Sequence, residues 1–144
     1  MREKVEELEA ILQNLPPVEL PLKHHFADGI YAREMFMPAG TVLTGAVHKT
    51  THMCILSKGH VRVATADGPV ELIAPATLIA HPGAKRAIYA LEDSVWTNIH
   101  ATTETDLDKL VEELTESTAA ELQGGSANKQ QIAATERELV WLSS

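Results

Sequence analysis

Two histidines separated by three residues are the first feature of this sequence that suits chemistry. On a helix, the spacing of His48 and His52 would place both side chains on one face. The surrounding segment has a β pattern, so a tight turn is needed to bring the two rings into one interior. Neutral imidazole is the commonest transition-metal ligand in proteins. The pair therefore predicts part of a metal site. The third ligand has to come from His60, His81 or His100, of which we select His100.

Three alternating residues in a second β-type segment are candidates for ligand contacts. Trp96, Asn98 and His100 occupy every second position and therefore share one face of a strand. If that face is the interior, Trp96 supplies an apolar wall, and Asn98 and His100 supply polar contacts. If it is the exterior, the intervening apolar residues form the core instead. Alternation alone leaves both faces open.

Arg86 follows a Pro-Gly turn and is a candidate for anion binding. A guanidinium stays protonated and does not ligate a metal, but it pairs with carboxylate or phosphate. The alternative interpretation is that Lys85 and Arg86 form an ordinary solvated turn.

Other catalytic groupings are missing from the sequence. It has no Ser-His-Asp arrangement, phosphate-binding glycine loop, zinc-finger cysteine pair or convincing pair of carboxylates. Its one cysteine, Cys54, lies two residues after His52 and should face the same way, where a buried, unreactive thiol is expected. Catalysis without a metal would therefore depend on His48, His52 and His100 as bases.

Short β-strands are the elements that must position these residues. Runs rich in Val, Ile, Thr and aromatic residues alternate with Gly, Pro and Asp-Gly turn signals. They predict strands near 30–37, 41–48, 51–57, 60–66, 69–74, 77–81, 85–91 and 94–101. No helical pattern interrupts them, which excludes a parallel βαβ sheet and predicts a small antiparallel barrel or sandwich. His24 and His25 fall on a leading strand, where neighbouring side chains point to opposite faces.

Helical patterns flank the strands. Residues 2–15 carry apolar residues at helical spacing and end at a pair of prolines. Residues 105–108 have the pattern of an N-cap and an acidic first turn, which predicts a helix to about residue 121. After a glycine pair, 129–142 predicts a short last helix, whose apolar Trp141 suits a partner surface.

These patterns divide the chain into three parts. We expect an N-terminal helix and linker over 1–22, a β-barrel over 23–103 and an acidic helical extension over 104–144. All seven histidines lie between residues 21 and 100, so any chemistry belongs to the barrel.

The segment from Gly40 to Gly59 resembles the first motif of the cupin family, G-x5-H-x-H-x3-E-x6-G. The frame fits without a gap. His48 falls on the family's second metal histidine, Ala46 replaces the first, and His52 replaces the glutamate.

Residues 80–86 resemble the Pro-Gly turn of the second cupin motif, with Arg86 where the third ligand histidine is expected. The resemblance covers about 30–101. It implies a jelly-roll barrel with His48 and His52 facing inward. It also implies a divalent transition metal (Fe, Zn, Ni or Mn).

The sequence is also similar to small cupin-like proteins encoded by tailed bacteriophages. The similarity lies in the segments HHFADGIYARE, HKTTH…SKG, PGAKR and VWTNIH. This resemblance implies a phage origin and establishes no activity.

Composition limits the function classes. A hydrophobic share of 44% and a charged share of 22% are typical of a globular domain, and the longest apolar runs contain proline, so no membrane span is expected. The acidic, amphipathic N-terminus lacks a signal-peptide pattern, and a single cysteine fits a reducing compartment. These features predict a cytoplasmic protein. If the gene is a phage gene, the location is the host cytoplasm, with the virion as the alternative. A net charge of −8 argues against nucleic acid as a partner.

Three functions fit these observations. The first is a barrel that binds a small ligand, with or without a metal. The replacement of metal-ligand positions by Ala46 and Arg86 favours it over redox chemistry. The second is a metal-dependent enzyme of the dioxygenase or isomerase type. The third is a structural or assembly protein of the phage. The amphipathic terminal helices and the cupin resemblance also predict a homo-oligomer.

Overall fold

Two helices and eleven strands make up the described part of the chain. The computed structural model describes residues 2–12, 17–18, 20–45, 47–65, 67–83, 86–116 and 130–131. The helices are α1 (Arg2–Leu12) and α2 (Leu107–Leu114). The strands are β1 (Pro17–Val18), β2 (Leu22–Ala27), β3 (Ile30–Met37), β4 (Val42–Thr44), β5 (His52–Lys58), β6 (His60–Thr65), β7 (Gly68–Ile73), β8 (Ala76–Ala80), β9 (Ala87–Ala90), β10 (Ser94–Ala101) and β11 (Gln130–Gln131).

The strands form two main antiparallel sheets. The five-stranded sheet has the order β2-β3-β10-β5-β8, and the four-stranded sheet has the order β4-β9-β6-β7. A separate pair joins β1 to β11. The predicted fold class is confirmed, because the chain is mainly β and its two antiparallel sheets are consistent with a jelly-roll barrel.

The core lies between the two sheets. Met35, Leu56 and Trp96 from the five-stranded sheet pack with Val63 and Ile88 from the four-stranded sheet. Met35, Leu56 and Trp96 alternate with more exposed neighbours along their strands, as expected for a sheet with one buried face. The interior is therefore apolar at the depth of these residues.

The eight strands predicted for the barrel correspond to β3 to β10. The prediction of a strand over 41–48 was too long, because β4 ends at Thr44. The backbone near His48 pairs with the end of α2 instead: Lys49 N donates to Leu114 O at 2.8 Å, and His48 forms an isolated bridge with Thr115. His48 therefore lies in the connection between β4 and β5.

Helix α1 lies where the sequence predicts it, and residues 13–15 of that prediction lie outside the described residues. Helix α2 begins after the N-cap Asp106 and ends at Leu114, so the prediction that it continues to residue 121 was wrong. Thr115 is extended because its backbone pairs with His48. No helix among the described residues is long and apolar enough to cross a membrane.

The prediction of a helix over 129–142 is wrong at the two residues that the structure describes. Gln130 and Gln131 are extended and pair with Val18 and Pro17. The rest of that segment, including Trp141, lies outside the described residues.

Candidate metal centre and cavity

The inward face of the five-stranded sheet is polar at one end and apolar at the other. Trp96 pairs with Met35 and Leu56 in an apolar row. Asn98 pairs with Arg33 on one side and Cys54 on the other. The next inward row contains the histidines.

The interior face of β10 therefore carries Trp96, Asn98 and His100. The alternating pattern alone did not show whether this face is buried. Trp96 is 3% exposed and His100 4% exposed. The Trp96 indole Nε1 donates to Asn98 Oδ1 at 2.9 Å, which fixes the orientation of the amide. The NH₂ group of Asn98 therefore remains available to the cavity.

Three histidines converge at the polar end. One ligand atom from each of His48, His52 and His100 lies within 4.8 Å of the other two. The ring centroids are 4.3 Å apart for His48 and His52, 5.3 Å for His48 and His100, and 4.6 Å for His52 and His100. His52 begins β5, and His100 lies beside it near the end of β10. The structure thus brings together the three residues selected as metal ligands.

Burial keeps the three imidazoles neutral. It is the largest cause that lowers the pKa of His48 to about 3 and the pKa of His100 to about 4, and it also lowers the pKa of His52. The neighbouring histidines and the charges of Arg33 and Arg86 add to these shifts. Neutral imidazole is the form that ligates a metal.

Hydrogen bonding at the cluster leaves nitrogen lone pairs free. His100 Nδ1 is buried and has no hydrogen-bond partner among the described residues. His52 Nδ1 lies 3.4 Å from Thr50 O, and in the tautomer that donates to this carbonyl its Nε2 keeps a lone pair. A set of three neutral imidazoles suits a divalent transition metal, and such an ion would satisfy the buried Nδ1 of His100. The residues present therefore fit the metal that the cupin resemblance implies.

A cavity of about 130 Å³ opens beside the histidines. Its apolar wall includes Trp96, Ile88 and, from α2, Leu110 and Leu114. Leu110 and Leu114 are 3% and 4% exposed and pack on Tyr31, so the helix covers this side of the cavity. The site is thus a small cavity with a polar end and an apolar wall, as in many ligand pockets.

Two arginines also line the cavity. Arg33 comes from β3, and Arg86 precedes β9 in the opposite sheet. Neither forms an ion pair with a carboxylate of the described residues, and Arg86 Nη1 lies 3.9 Å from Cys54 Sγ. Burial lowers the pKa of Arg33, because a low-dielectric surrounding disfavours the charged guanidinium.

Sequence reasoning missed Arg33, although a signal was present. The inward positions of β3 are otherwise apolar, with Tyr31, Met35 and Met37 all buried. A charged residue within such an alternation indicates either a buried ion pair or a functional site. Arg86, by contrast, was selected from its place in the second cupin motif.

The remaining candidates lie away from the centre. His81 is exposed after β8, and His60 contacts Glu71 at 3.1 Å on the four-stranded sheet. His24 Nδ1 lies 2.7 Å from the Tyr31 hydroxyl. Cys54 faces the cavity, where burial raises its pKa to about 11, in agreement with an unreactive thiol. Ala46 and Lys85 lie outside the described residues.

Comparison with solved structures finds cupin proteins. A cupin superfamily protein from Desulfitobacterium hafniense matches with a TM-score of 0.51 and 13% identity over 63% of this chain and 97% of that chain. KdgF from Halomonas sp. matches with a TM-score of 0.52 and 15% identity over 60% of this chain and 82% of that chain.

An HTH_3 family transcriptional regulator from Vibrio cholerae matches with a TM-score of 0.50 and 16% identity over 60% of this chain. The match spans about half of that regulator's length, 52%. No family model matches the chain, and no curated protein matches it. At these identities the likeness shows the cupin-type fold alone.

Proposed function

We propose that this protein binds a small ligand inside its barrel together with a divalent transition metal held by His48, His52 and His100. The observation that carries the proposal is the convergence of three neutral imidazoles beside a cavity between the two sheets and α2. Burying imidazole nitrogens without hydrogen-bond partners is unfavourable, and a shared metal ion would supply the missing partner. The metal is iron, zinc, nickel or manganese, the set that the cupin resemblance implies, and within this set imidazole ligands favour iron, zinc and nickel.

The cavity gives the ligand a place beside the metal. Three protein ligands leave coordination positions open, and a small molecule can occupy them. Arg86, Trp96 and Asn98 line the same cavity, so we assign them to ligand contact, with His100 shared between metal and ligand.

A metal-dependent enzyme of the dioxygenase or isomerase type is the second candidate. The open coordination positions favour it, since catalytic metal sites keep such a position for substrate or water. Product analysis distinguishes the two functions, because a binding protein releases its ligand chemically unchanged and an enzyme converts it. A phage assembly role receives no support from the described residues, and the phage origin and the cytoplasmic location stay predictions.

A homo-oligomer is also part of the proposal. Met53 and Ile79 face each other on β5 and β8 and are 44% and 46% exposed, which gives the outer face of the five-stranded sheet an apolar character.

Metal content per chain tests the proposal. Untagged protein purified without chelator should contain close to one equivalent of metal by mass spectrometry, and the His48→Ala/His52→Ala double variant should contain little. His81→Ala is the matched control, because this exposed histidine lies outside the cavity and its loss should leave the metal in place. Circular dichroism establishes that each variant is folded. The absence of metal from the wild type, with no uptake of added iron, zinc, nickel or manganese, would contradict the proposal.

A further inference from the structure

We propose that the ligand of this cavity is a small organic carboxylate, bound by Arg33 and Arg86 beside the histidine cluster. This inference rests on the proposed function and names the chemical class of the ligand. It uses Arg33, a residue that no motif in the sequence assigns.

The charge of the cavity is the first argument. Among the described residues that line it, the only groups charged at neutral pH are Arg33 and Arg86, and none is an aspartate or glutamate. The whole chain carries a net charge of −8, so the charge of the cavity is opposite in sign to that of the protein. A divalent metal at the histidines would add to the excess. An anion is the ligand that compensates it.

The free-energy cost of burying two unpaired guanidinium groups is the second argument. Taking a guanidinium out of water is unfavourable unless an anion or several acceptors receive its donors. The Arg33 guanidinium has no hydrogen bond or ion pair to another described residue, and the one described partner of the Arg86 guanidinium is the weak acceptor Cys54 Sγ. The folded protein therefore retains partly buried cations without an anionic partner among the described residues, and a ligand would supply that partner.

The geometry of the donors is the third argument. Arg33 lies next to Asn98 in the paired register of β3 and β10, and Asn98 turns its NH₂ group away from Trp96 Nε1. Arg86 approaches from the opposite sheet, toward Cys54. The planar fork of arginine matches a carboxylate with two parallel hydrogen bonds. These groups are all donors, so they suit a ligand rich in acceptors.

The size of the cavity limits the ligand. Its volume of about 130 Å³ is close to that of a cavity of roughly 150 Å³ that holds benzene. The part of the ligand inside the cavity therefore has on the order of six non-hydrogen atoms, with a carboxylate toward the arginines and room for a second oxygen group at the metal.

Malonate is the probe for the test, and malonamide is its uncharged counterpart of the same shape. Binding is measured by calorimetry on zinc-loaded and on chelator-treated protein. We expect malonate to bind the wild type and malonamide to bind at least tenfold more weakly. Arg33→Met should weaken malonate binding at least tenfold. Arg62→Met is the matched control, because this arginine pairs with Glu71 outside the cavity and its replacement removes the same charge.

A stability measurement separates a binding role of Arg33 from a structural one. If Arg33 is an unpaired cation kept for a ligand, ligand-free Arg33→Met should have a melting temperature equal to or above that of the wild type. A structural role predicts a lower melting temperature with unchanged malonate affinity, and that result would overturn the proposal. Arg33→Lys should bind malonate with an affinity between those of wild type and Arg33→Met, because lysine keeps the charge and loses the fork.

Three further outcomes are decisive. Failure of the wild type to bind malonate overturns the carboxylate assignment, even if the histidines bind zinc. Preference for inorganic phosphate over malonate also overturns it and reassigns the cavity to a tetrahedral anion. Arginine-dependent malonate binding by a protein that takes up no metal supports the carboxylate site while the proposed metal function fails.

Discussion

Histidines and arginines share one cavity in this protein, and they do so in different states of charge. Burial lowers the pKa values of His48 and His100 to about 3 and about 4, so both are neutral at physiological pH. Arg33 and Arg86 remain cations, because the guanidinium keeps its proton in proteins. The histidines can therefore donate lone pairs to a metal while the arginines donate hydrogen bonds to an anion.

A glycine between β5 and β6 gives the sharpest prediction for a single residue. Gly59 has φ +96, and a Cβ added there would clash with Ser94 Oγ and lie 2.5 Å from the Asp93 carbonyl oxygen. Gly59→Ala should lower the free energy of unfolding by about 2 kcal/mol or more, because backbone strain and overlap add. Urea unfolding measures the loss.

Gly29→Ala is the control for this prediction. Gly29 also has positive φ, at +72, but a Cβ there meets nothing within 4 Å. Its replacement should cost only the conformational part, about 1 kcal/mol. Equal losses in the two variants would show that the approach of Ser94 to Gly59 does not matter.

At the scale of elements, α2 both covers the cavity and holds the loop that carries His48. Leu110 and Leu114 close the cavity wall. At the end of the helix, Leu114 O accepts from Lys49 N at 2.8 Å, and Glu116 N donates to Val47 O at 2.8 Å. These bonds flank His48, so the helix positions a candidate metal ligand that it does not itself contain.

The N-cap of α2 can be tested directly. Asp106 Oδ1 accepts from Asp108 N at 3.0 Å and from Lys109 N at 3.1 Å, which satisfies two donors at the start of the helix. Asp106→Ala should lower the free energy of unfolding by about 1 kcal/mol and speed hydrogen exchange at Leu110 N. Asp106→Asn keeps the acceptor and should retain most of the stability. Equal losses in the two variants would assign the effect to charge instead of capping.

At the scale of the whole molecule, the metal should stabilise the fold. The three histidines come from the β4–β5 connection, β5 and β10, and an unfolded chain does not hold them together. A ligand that binds only the folded state stabilises it by about 2.7 kcal/mol at a concentration of 100 Kd. Zinc added to chelator-treated protein should therefore raise Tm by several degrees in a thermal melt.

Two controls accompany this melt. Calcium should have little effect, because it prefers oxygen ligands. His100→Ala should abolish the response to zinc, since it removes the ligand with the buried, unpartnered Nδ1. A Tm that rises equally in wild type and His100→Ala would place the stabilising metal elsewhere on the chain.

The sequence by itself determined the local elements. Turn signals and β-rich runs located β3 to β10, and the Asp106 region marked the start of α2, because turns, caps and side-chain periodicity depend on neighbours along the chain. The fit to the cupin motif frame pointed to the correct fold type. It also selected His48 and His52, which the structure brings together.

Only the tertiary structure decided what faces the cavity. A period of two defines two faces of β10 but not which one is covered, and packing against the four-stranded sheet put Trp96, Asn98 and His100 inside. The same long-range packing brought the selected His100, and not His60 or His81, to the other two histidines, ended α2 at Leu114 and placed Arg33 in the cavity with Arg86. Contacts between residues distant in the chain determine these features. The local pattern of residues along the chain does not show which distant residues come into contact.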